Sequence, residues 1–265
     1  MAFKIEIKNL YFDYLSSKKK IFPALENINL NIEEGKFVCI LGASGCGKST
    51  LLSILSGLNK AKSGEVLIDN KKIEGPGIDR AVVFQHYSLF PFLTVKGNVL
   101  FGIKQAKKKY KRKEREALVK KYLKNVGLLD AQNKYPNELS GGMQQRVAVA
   151  RALALESDIL LMDEPFGAID PRLRLELQEL VSKLSKDNNK TVVFVTHDID
   201  EALLLADTIV VMEPSKIKEV LNIDFEFPRI REELVSTPKY QELYKKLFSL
   251  FYNIVLNEIH EEAML

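Results

Sequence analysis

Residues Gly42 to Thr50 (GASGCGKST) follow directly on the apolar run Phe37-Val38-Cys39-Ile40-Leu41. They match G-x-x-x-x-G-K-[ST] in the setting that pattern requires, a strand that delivers a glycine-rich turn into a helix. Backbone N–H groups of such a turn converge on phosphate oxygens. The helix that follows, expected from Lys48 to Leu58, adds the positive end of its dipole. Gly42, Gly45 and Gly47 let the backbone come close, and Ser44, Cys46 and Thr50 complete the loop. Lys48 would reach the β and γ phosphates as a point charge, and the Ser49 hydroxyl would ligate Mg2+. The loop therefore predicts binding of a nucleoside triphosphate.

A phosphate loop alone does not distinguish kinases, GTPases, helicases and transport ATPases, so a second group carries more information. In ILLMDEP, Ile159 to Pro165, an apolar strand ends at two adjacent carboxylates. Asp163, at the strand's carboxyl end, is placed to hold the Mg2+ shell beside the phosphates. Glu164, one residue on, can orient or deprotonate an attacking water, a role worth roughly 100- to 10,000-fold in rate. A third group is LSGGM, Leu139 to Met143, ahead of QQRVAVARALALE. Ser140 is a good N-cap and Gly141 and Gly142 open the backbone, so the helix expected from Met143 to Leu155 presents bare N–H groups and a positive dipole end. Taken alone, so short a string reads more readily as an ordinary capped helix.

The elements that must position these groups follow from apolar patterning. Phe3 to Lys8 and Leu25 to Ile32 alternate as antiparallel strands ahead of the loop. Gly64 to Asp69, Arg80 to Gln85, Asp158 to Asp163, Thr191 to Thr196 and Thr208 to Glu213 read as further strands. Pro171 to Lys186 and Asp198 to Ala206 read as helices, and a helical tract runs from about Thr94 to Leu155. Strands alternating with helices imply an α/β fold with a mainly parallel sheet. The helical tract interrupts that alternation as an inserted subdomain. From Pro228 onward, Tyr240, Leu243, Tyr244, Leu247, Phe248, Phe251, Val255 and Ile259 recur at helical spacing. This stripe is expected to pack on its own domain or against a partner.

The chain has 265 residues, of which 46% are hydrophobic and 28% charged, an ordinary globular composition. No run approaches the roughly 20 apolar residues of a membrane span, and MAFKIEIKNL lacks the core of a signal peptide, so a cytosolic location is expected. A net charge of +4 is too mild to argue for nucleic acid. The basic run Lys104 to Arg115 is expected as the exposed start of a helix, with attraction to an anionic leaflet as the other reading. The two cysteines, Cys39 and Cys46, offer no metal spacing or disulfide framework and are expected to be free. Cys46, close to Lys48 at a helix N-terminus, is either an activated thiol or one buried under the loop.

Together these motifs, in this order, resemble an ATP-binding cassette (ABC) protein over roughly Phe3 to Met212. The resemblance implies a P-loop NTPase core with an N-terminal antiparallel β subdomain and an inserted α-helical subdomain at about 88–155. The ATPase domain would span residues 1–225, with a C-terminal helical extension, residues 226–265, packed on it. By the same resemblance Gln85 is the residue that senses Mg2+ and a transmembrane partner, and Gly167 to Asp170 is the D-loop. His197 in VTHD is the switch histidine that contacts the γ-phosphate. Tyr14 stands where an aromatic residue stacks on adenine, with Tyr11 as its competitor. HYSLFPFLTVKGNVLFG, after Gln85, reads as subdomain packing or as the docking surface for a membrane partner. Met143 replaces the usual Gln of the signature, and Ile169 the usual Leu of the D-loop.

In the arrangement the family implies, two chains form a homodimer in which each ATP lies between the phosphate loop of one and Ser140 to Gly142 of the other. Hydrolysis at Glu164 would reopen the dimer and drive a separate permease subunit, with an extracytoplasmic binding protein selecting cargo. EGPGIDRAVVFQ, Glu74 to Gln85, and the tail Phe227 to Leu247 resemble the nitrate, sulfonate and taurine importers, a group that also carries thiamine precursors. A non-transport ABC protein would need tandem cassettes or a coiled-coil insertion. A regulatory binding module would show damage at Lys48, Asp163, Glu164 or His197, and all four are intact.

Overall fold

The computed structural model describes residues 3–15, 21–85, 88–106, 109–167 and 169–263, the side chains of residues 253–263 excepted. The chain divides into two units, Met1–Gly75 with Val193–Leu265, and Pro76–Val192.

In the first unit β1 (Phe3–Leu15) and β2 (Ile21–Glu33) pair antiparallel, with Phe3 opposite Glu33 and Leu15 opposite Ile21. β3 (Phe37–Gly42) is buried at every position, which is why its sequence is a continuous apolar run without alternation. α1 (Lys48–Leu55) leaves the glycine loop and stops three residues short of the expected Leu58. Gly57 takes a left-handed φ of 81°. Its N–H reaches Ile54 O at 2.9 Å while Leu58 N–H reaches Ser53 O at 3.1 Å, a Schellman stop. β4 (Ser63–Ile68) pairs antiparallel with β1, and β5 (Lys71–Lys72) completes a four-stranded sheet in the order β2-β1-β4-β5. This is the antiparallel entry expected from the alternating segments.

The second unit opens with β6 (Arg80–Val83), two residues shorter than expected. The expected helical tract is three α-helices, α2 (Val95–Gln105), α3 (Arg112–Asn125) and α4 (Gly141–Ala154), with a 3-10 turn at Pro136–Glu138. Gly127, at φ 64°, ends α3 by the same Schellman pattern. The basic run Lys104 to Arg115 is therefore not one helix start. It spans the end of α2 and the start of α3, with Lys107 and Lys108 outside the described residues. α2 and α4 approach closely at Gly102, where a Cβ would stand 2.5 Å from the Arg151 carbonyl oxygen. β7 (Ile159–Asp163) runs parallel to β6, with Arg80 opposite Ile159. α5 (Pro171–Asp187) starts on an Asp170 cap that accepts the Leu173 N–H at 3.1 Å, with Pro171 in the first position.

β8 (Thr191–Thr196) returns the chain to the first unit, where α6 (Ile199–Leu205) and β9 (Thr208–Glu213) follow. β9 lies parallel to β3, with Val38 opposite Thr208 and Gly42 opposite Met212. β10 (Lys216–Asn222) adds an antiparallel edge that the sequence reading does not contain, because its KIKEVLN is polar and only half-buried. Lysines along such an edge discourage pairing with another chain. Within this unit the strand order is β10-β9-β3-β8. α7 (Arg231–Leu234) and α8 (Pro238–Ala263) form the tail. In its stripe Tyr240 and Leu247 are buried and Phe248 is exposed, while the side chains of Val255 and Ile259 lie outside those described. No helix among the described residues is long and apolar enough to cross a membrane.

The segment after Gln85 is fixed by two residues of the helical part. Asn98 is fully buried and donates to Phe90 O, Leu93 O and Thr94 O at 3.1 to 3.2 Å, while its Oδ1 accepts the Phe90 N–H at 2.9 Å. Arg151 donates to Ser88 O at 2.8 Å and lies over the Phe90 ring at 5.3 Å. Phe90 also packs on Phe101, whereas Phe92 is 73% exposed, so the aromatic run is divided between packing and open surface. His86 and Tyr87 of that run lie outside the described residues. Replacing Asn98 by Ala strands several backbone groups. It is expected to lower unfolding stability by about 2–3 kcal/mol, read from urea denaturation.

Candidate functional site

The glycine loop is tied to the turn between β9 and β10 and lies close against β2. Ser215, in the turn between β9 and β10, receives the Glu26 N–H at 2.7 Å and sends its own N–H to Cys46 O at 3.1 Å and its hydroxyl to Pro23 O at 2.8 Å. Gly47 precedes α1 with a φ of 109° and no side-chain cap, and a Cβ there would stand 2.5 Å from Ala24 O. Only glycine fits that approach. The N-cap position therefore offers no side chain to the first N–H groups of α1, a kind of helix start that can receive an anion. The Lys48 side chain is 5% exposed, and its Nζ donates to Gly42 O at 2.9 Å and Ala43 O at 2.6 Å. An ammonium held by the loop's own carbonyls is placed where a triphosphate can take over its donors.

A cavity of about 420 Å³ opens on this loop, lined by Tyr14, Phe22, Pro23, Ala24, Gly45 and the run Gly47 to Thr50. Tyr14 is 48% exposed and its hydroxyl meets Thr50 Oγ1 at 3.2 Å, while Tyr11 is not among the lining residues. Phe22 stands opposite Tyr14 in the β1–β2 register and both side chains line the cavity, while the Tyr14 ring packs edge-on against Phe12 with centroids 5.0 Å apart. Of the remaining loop residues, Gly42 ends β3, Ser44 is exposed and Cys46 is 1% exposed. A Cβ at Gly42 would lie 2.7 Å from the Cys46 sulfur. Cys46 is thus packed under the loop rather than presented as an activated thiol, and both cysteines are free.

The carboxylates belong to the second unit. Asp163 ends β7 and is 8% exposed. Glu164 has a φ of 42°, a left-handed backbone that is strained for a side-chain-bearing residue. Gln85 Nε2 stands 3.5 Å from Glu164 Oε2, a long contact between two residues assigned to the same chemistry. Ser140 caps α4, which begins at Gly141 and not at Met143, and accepts the Met143 N–H at 3.4 Å. A second cavity of about 400 Å³ is lined by Ser140, Gly141, Gly142, Met143, Arg146, Ile169, Asp170 and Leu173. Burial lowers the Arg146 pKa from its usual value, and Asp170 and Glu176 pull it back up, so the cavity keeps a cation. Gly167 and Ile169 belong to the expected D-loop, whose Ala168 lies outside the described residues.

His197 follows β8 in the first unit and is exposed. Its neighbours are bonded into the first turn of α6. Thr196 Oγ1 donates to Glu201 Oε2 at 2.6 Å, and Asp198 Oδ1 accepts the Asp200 and Glu201 N–H groups at 2.8 and 3.2 Å.

The sequence reading misses Phe22, Pro23 and Ala24 as cavity walls, and Arg146 and Leu173 as walls of the second cavity. Phe22 could have been found from strand register, since the pairing of β1 with β2 places it across from Tyr14. Arg146 carries no such signal, because i+3 spacing from Met143 on a helix fits any solvated face.

A strand, a glycine turn with a bare helix start and a buried lysine, with carboxylates ending a second parallel strand, define a P-loop nucleotide-binding protein. The chain belongs to the ABC transporter family, whose family model matches residues 25–167. It is 44% identical to the nitrate import ATP-binding protein NrtD of Synechococcus elongatus, over 92% of this chain and 91% of that one. The bicarbonate transport ATP-binding protein CmpD of the same organism is 43% identical, over 88% of this chain and 84% of its own length. The dimeric post-hydrolysis structure of the ATP-binding cassette MJ0796, bound to ADP and Pi, superposes with a TM-score of 0.77. That alignment has 37% identity and covers 84% of this chain and 100% of the other.

Replacing each tyrosine in turn separates the two readings of the adenine stack. Tyr14→Ala is expected to weaken binding of a fluorescent ATP analogue about tenfold, given that an aromatic–base stack contributes roughly 1–3 kcal/mol. Tyr11→Ala should leave it within about twofold, and the reverse order of effects would reassign the stack.

Proposed function

We propose that this chain is the ATP-hydrolysing subunit of an importer for a small anion, working as a pair of chains on a separate membrane permease. The observation that carries the ATPase reading is the Lys48 cradle, a buried ammonium held at a helix start without a side-chain cap, beside a 420 Å³ cavity lined by Tyr14 and Phe22. The importer reading is supported by relatives named for nitrate import and bicarbonate transport, at 44% and 43% identity over most of their length. That pairing favours a small oxyanion as cargo. Pairing of chains is supported by the dimeric cassette structure to which this chain is similar. A non-transport ABC protein or a regulatory module has no comparable support.

Each residue then has a role. Tyr14 stacks on adenine, and the loop from Gly42 to Thr50 binds the phosphates. By the family resemblance Ser49, Gln85 and Asp163 would hold Mg2+, which when bound would neutralise charge on the phosphates. Glu164 orients or deprotonates the attacking water, and His197 contacts the γ-phosphate. Ser140, Gly141 and Gly142 receive the ATP bound to the partner chain, with Arg146 adding a cation where Met143 supplies no polar contact. Residues 1–225 act as the ATPase domain, with a helical insertion at about 88–155 and an extension at 226–265. The exposed Phe92, in the segment after Gln85, presents the permease with an apolar contact. The subunit would sit on the cytoplasmic face of the membrane, fed by an extracytoplasmic binding protein.

Glu164→Gln is expected to lower Mg-ATP turnover at least ~100-fold while keeping ATP binding. It should also accumulate an ATP-dependent dimer in size-exclusion chromatography. Unchanged turnover would remove Glu164 from the chemistry, and a monomer with ATP bound would end the paired-chain mechanism. Uptake of labelled nitrate and bicarbonate into vesicles holding the permease tests the cargo.

A further inference from the structure

The tail after Phe225 grips helix α6 at both ends. At the C-terminal end Arg229 donates to the carbonyls of Leu204 at 3.3 Å and Ala206 at 2.7 Å, groups that a helix end leaves open. Its other nitrogens reach Phe225 O at 3.3 Å, and the guanidinium pairs with Asp207 at 3.6 Å. Asp207 in turn accepts the Phe37 N–H of β3 at 2.9 Å. In the first turn of α6, the Asp200 carboxylate accepts from Arg231 at 3.0 Å and from the hydroxyl of Tyr240. Tyr240 is 1% exposed, and its ring is stacked between Phe225 and Tyr244 with centroids 6.2 and 6.4 Å away. Burial, followed by the bond to Asp200, drives the Tyr240 pKa well above its ordinary value, so the phenol is a permanent donor.

That grip leads to His197 through short bonds. Asp198 Oδ1 accepts the N–H of Asp200, the Asp198 N–H reaches Thr196 Oγ1 at 3.0 Å, and Thr196 donates to Glu201. His197 therefore hangs between two residues that are both bonded into the first turn of α6. The cavity on the phosphate loop, in contrast, is walled by residues of β1, β2 and α1 and their loops.

We propose that Asp200, gripped by Arg231 and Tyr240 of the tail, is a positioning residue for His197, so that the tail sets the rate of ATP turnover and not the affinity for ATP. This rests on the reading of His197 as the γ-phosphate contact.

The test uses the full chain carrying Tyr240→Phe together with Arg231→Met, which keeps the ring stack but removes both donors from Asp200. Turnover of Mg-ATP is expected to fall about tenfold, less than the ~100-fold that a misplacement of about 1 Å can cost, with affinity for a fluorescent ATP analogue within about twofold. The imidazole NMR signal of His197, identified by its loss in His197→Ala, should shift. Arg231→Lys should retain most of the turnover. In an Asp200→Ala background the double change should have no further effect, as for residues acting through one group. An unmoved His197 signal overturns the proposal, as does wild-type turnover in the double variant or a parallel loss of nucleotide binding and thermal stability. If His197→Ala itself turns over ATP at the wild-type rate, the reading of His197 fails and the inference with it. Loss in His197→Ala beside wild-type turnover in the double variant overturns the inference alone.

Discussion

The open N-terminus of α1 is the constraint around which the first unit is arranged. A helix start commonly recruits its N-cap side chain to its orphan N–H groups, and here Gly47 has none to offer. The backbone reaches that state only because Gly47 adopts a φ of 109° within van der Waals reach of Ala24. Ser215 then ties the loop to β2 and to the β9–β10 turn, so the opening does not collapse. Lys48 is the complementary device. Burying an ammonium is costly unless it is hydrogen-bonded, and two loop carbonyls supply those bonds until phosphate oxygens compete for them.

The helix start of α4, the other one at which sequence patterning expects an anion, is built on a different principle. Ser140 does cap it, but its bond to the Met143 N–H is long at 3.4 Å, so exchanging that cap for an incoming phosphate costs little. Two glycines and the cation of Arg146 prepare the same surface. The α1 start thus carries no side-chain cap, while the α4 start is lightly covered. Glu164, strained at φ 42° and 3.5 Å from Gln85, shows where backbone energy is stored in the second unit.

Helix α6 is where the tail is fastened to the first unit. Only seven residues long, it would be marginal alone and is fastened by Asp198 at its start and by Arg229 at its end. Three of the tail's polar side chains, Arg229, Arg231 and Tyr240, are spent on it. A short helix fastened this way transmits displacement, because packed and bonded elements move as units instead of deforming.

The sequence by itself determined the family, the phosphate loop, the carboxylate pair and the order of nearly every element. Those are local facts, since a glycine pattern, an apolar run of strand length or an N-cap is written in adjacent residues. Strands β8 and β9 begin and end at the expected residues for that reason. It also separated free cysteines from a disulfide framework by spacing alone. Tertiary structure decided what depends on residues far apart in the chain. Register between β1 and β2 brought Phe22 across from Tyr14 and left Tyr11 off the cavity wall, and packing under Gly42 closed Cys46 to solvent. Left-handed glycines at 57 and 127 ended helices that patterning alone would have continued. The grip of Arg231 and Tyr240 on Asp200 spans 31 and 40 residues, a separation at which no periodicity or motif survives and only the folded backbone can choose partners.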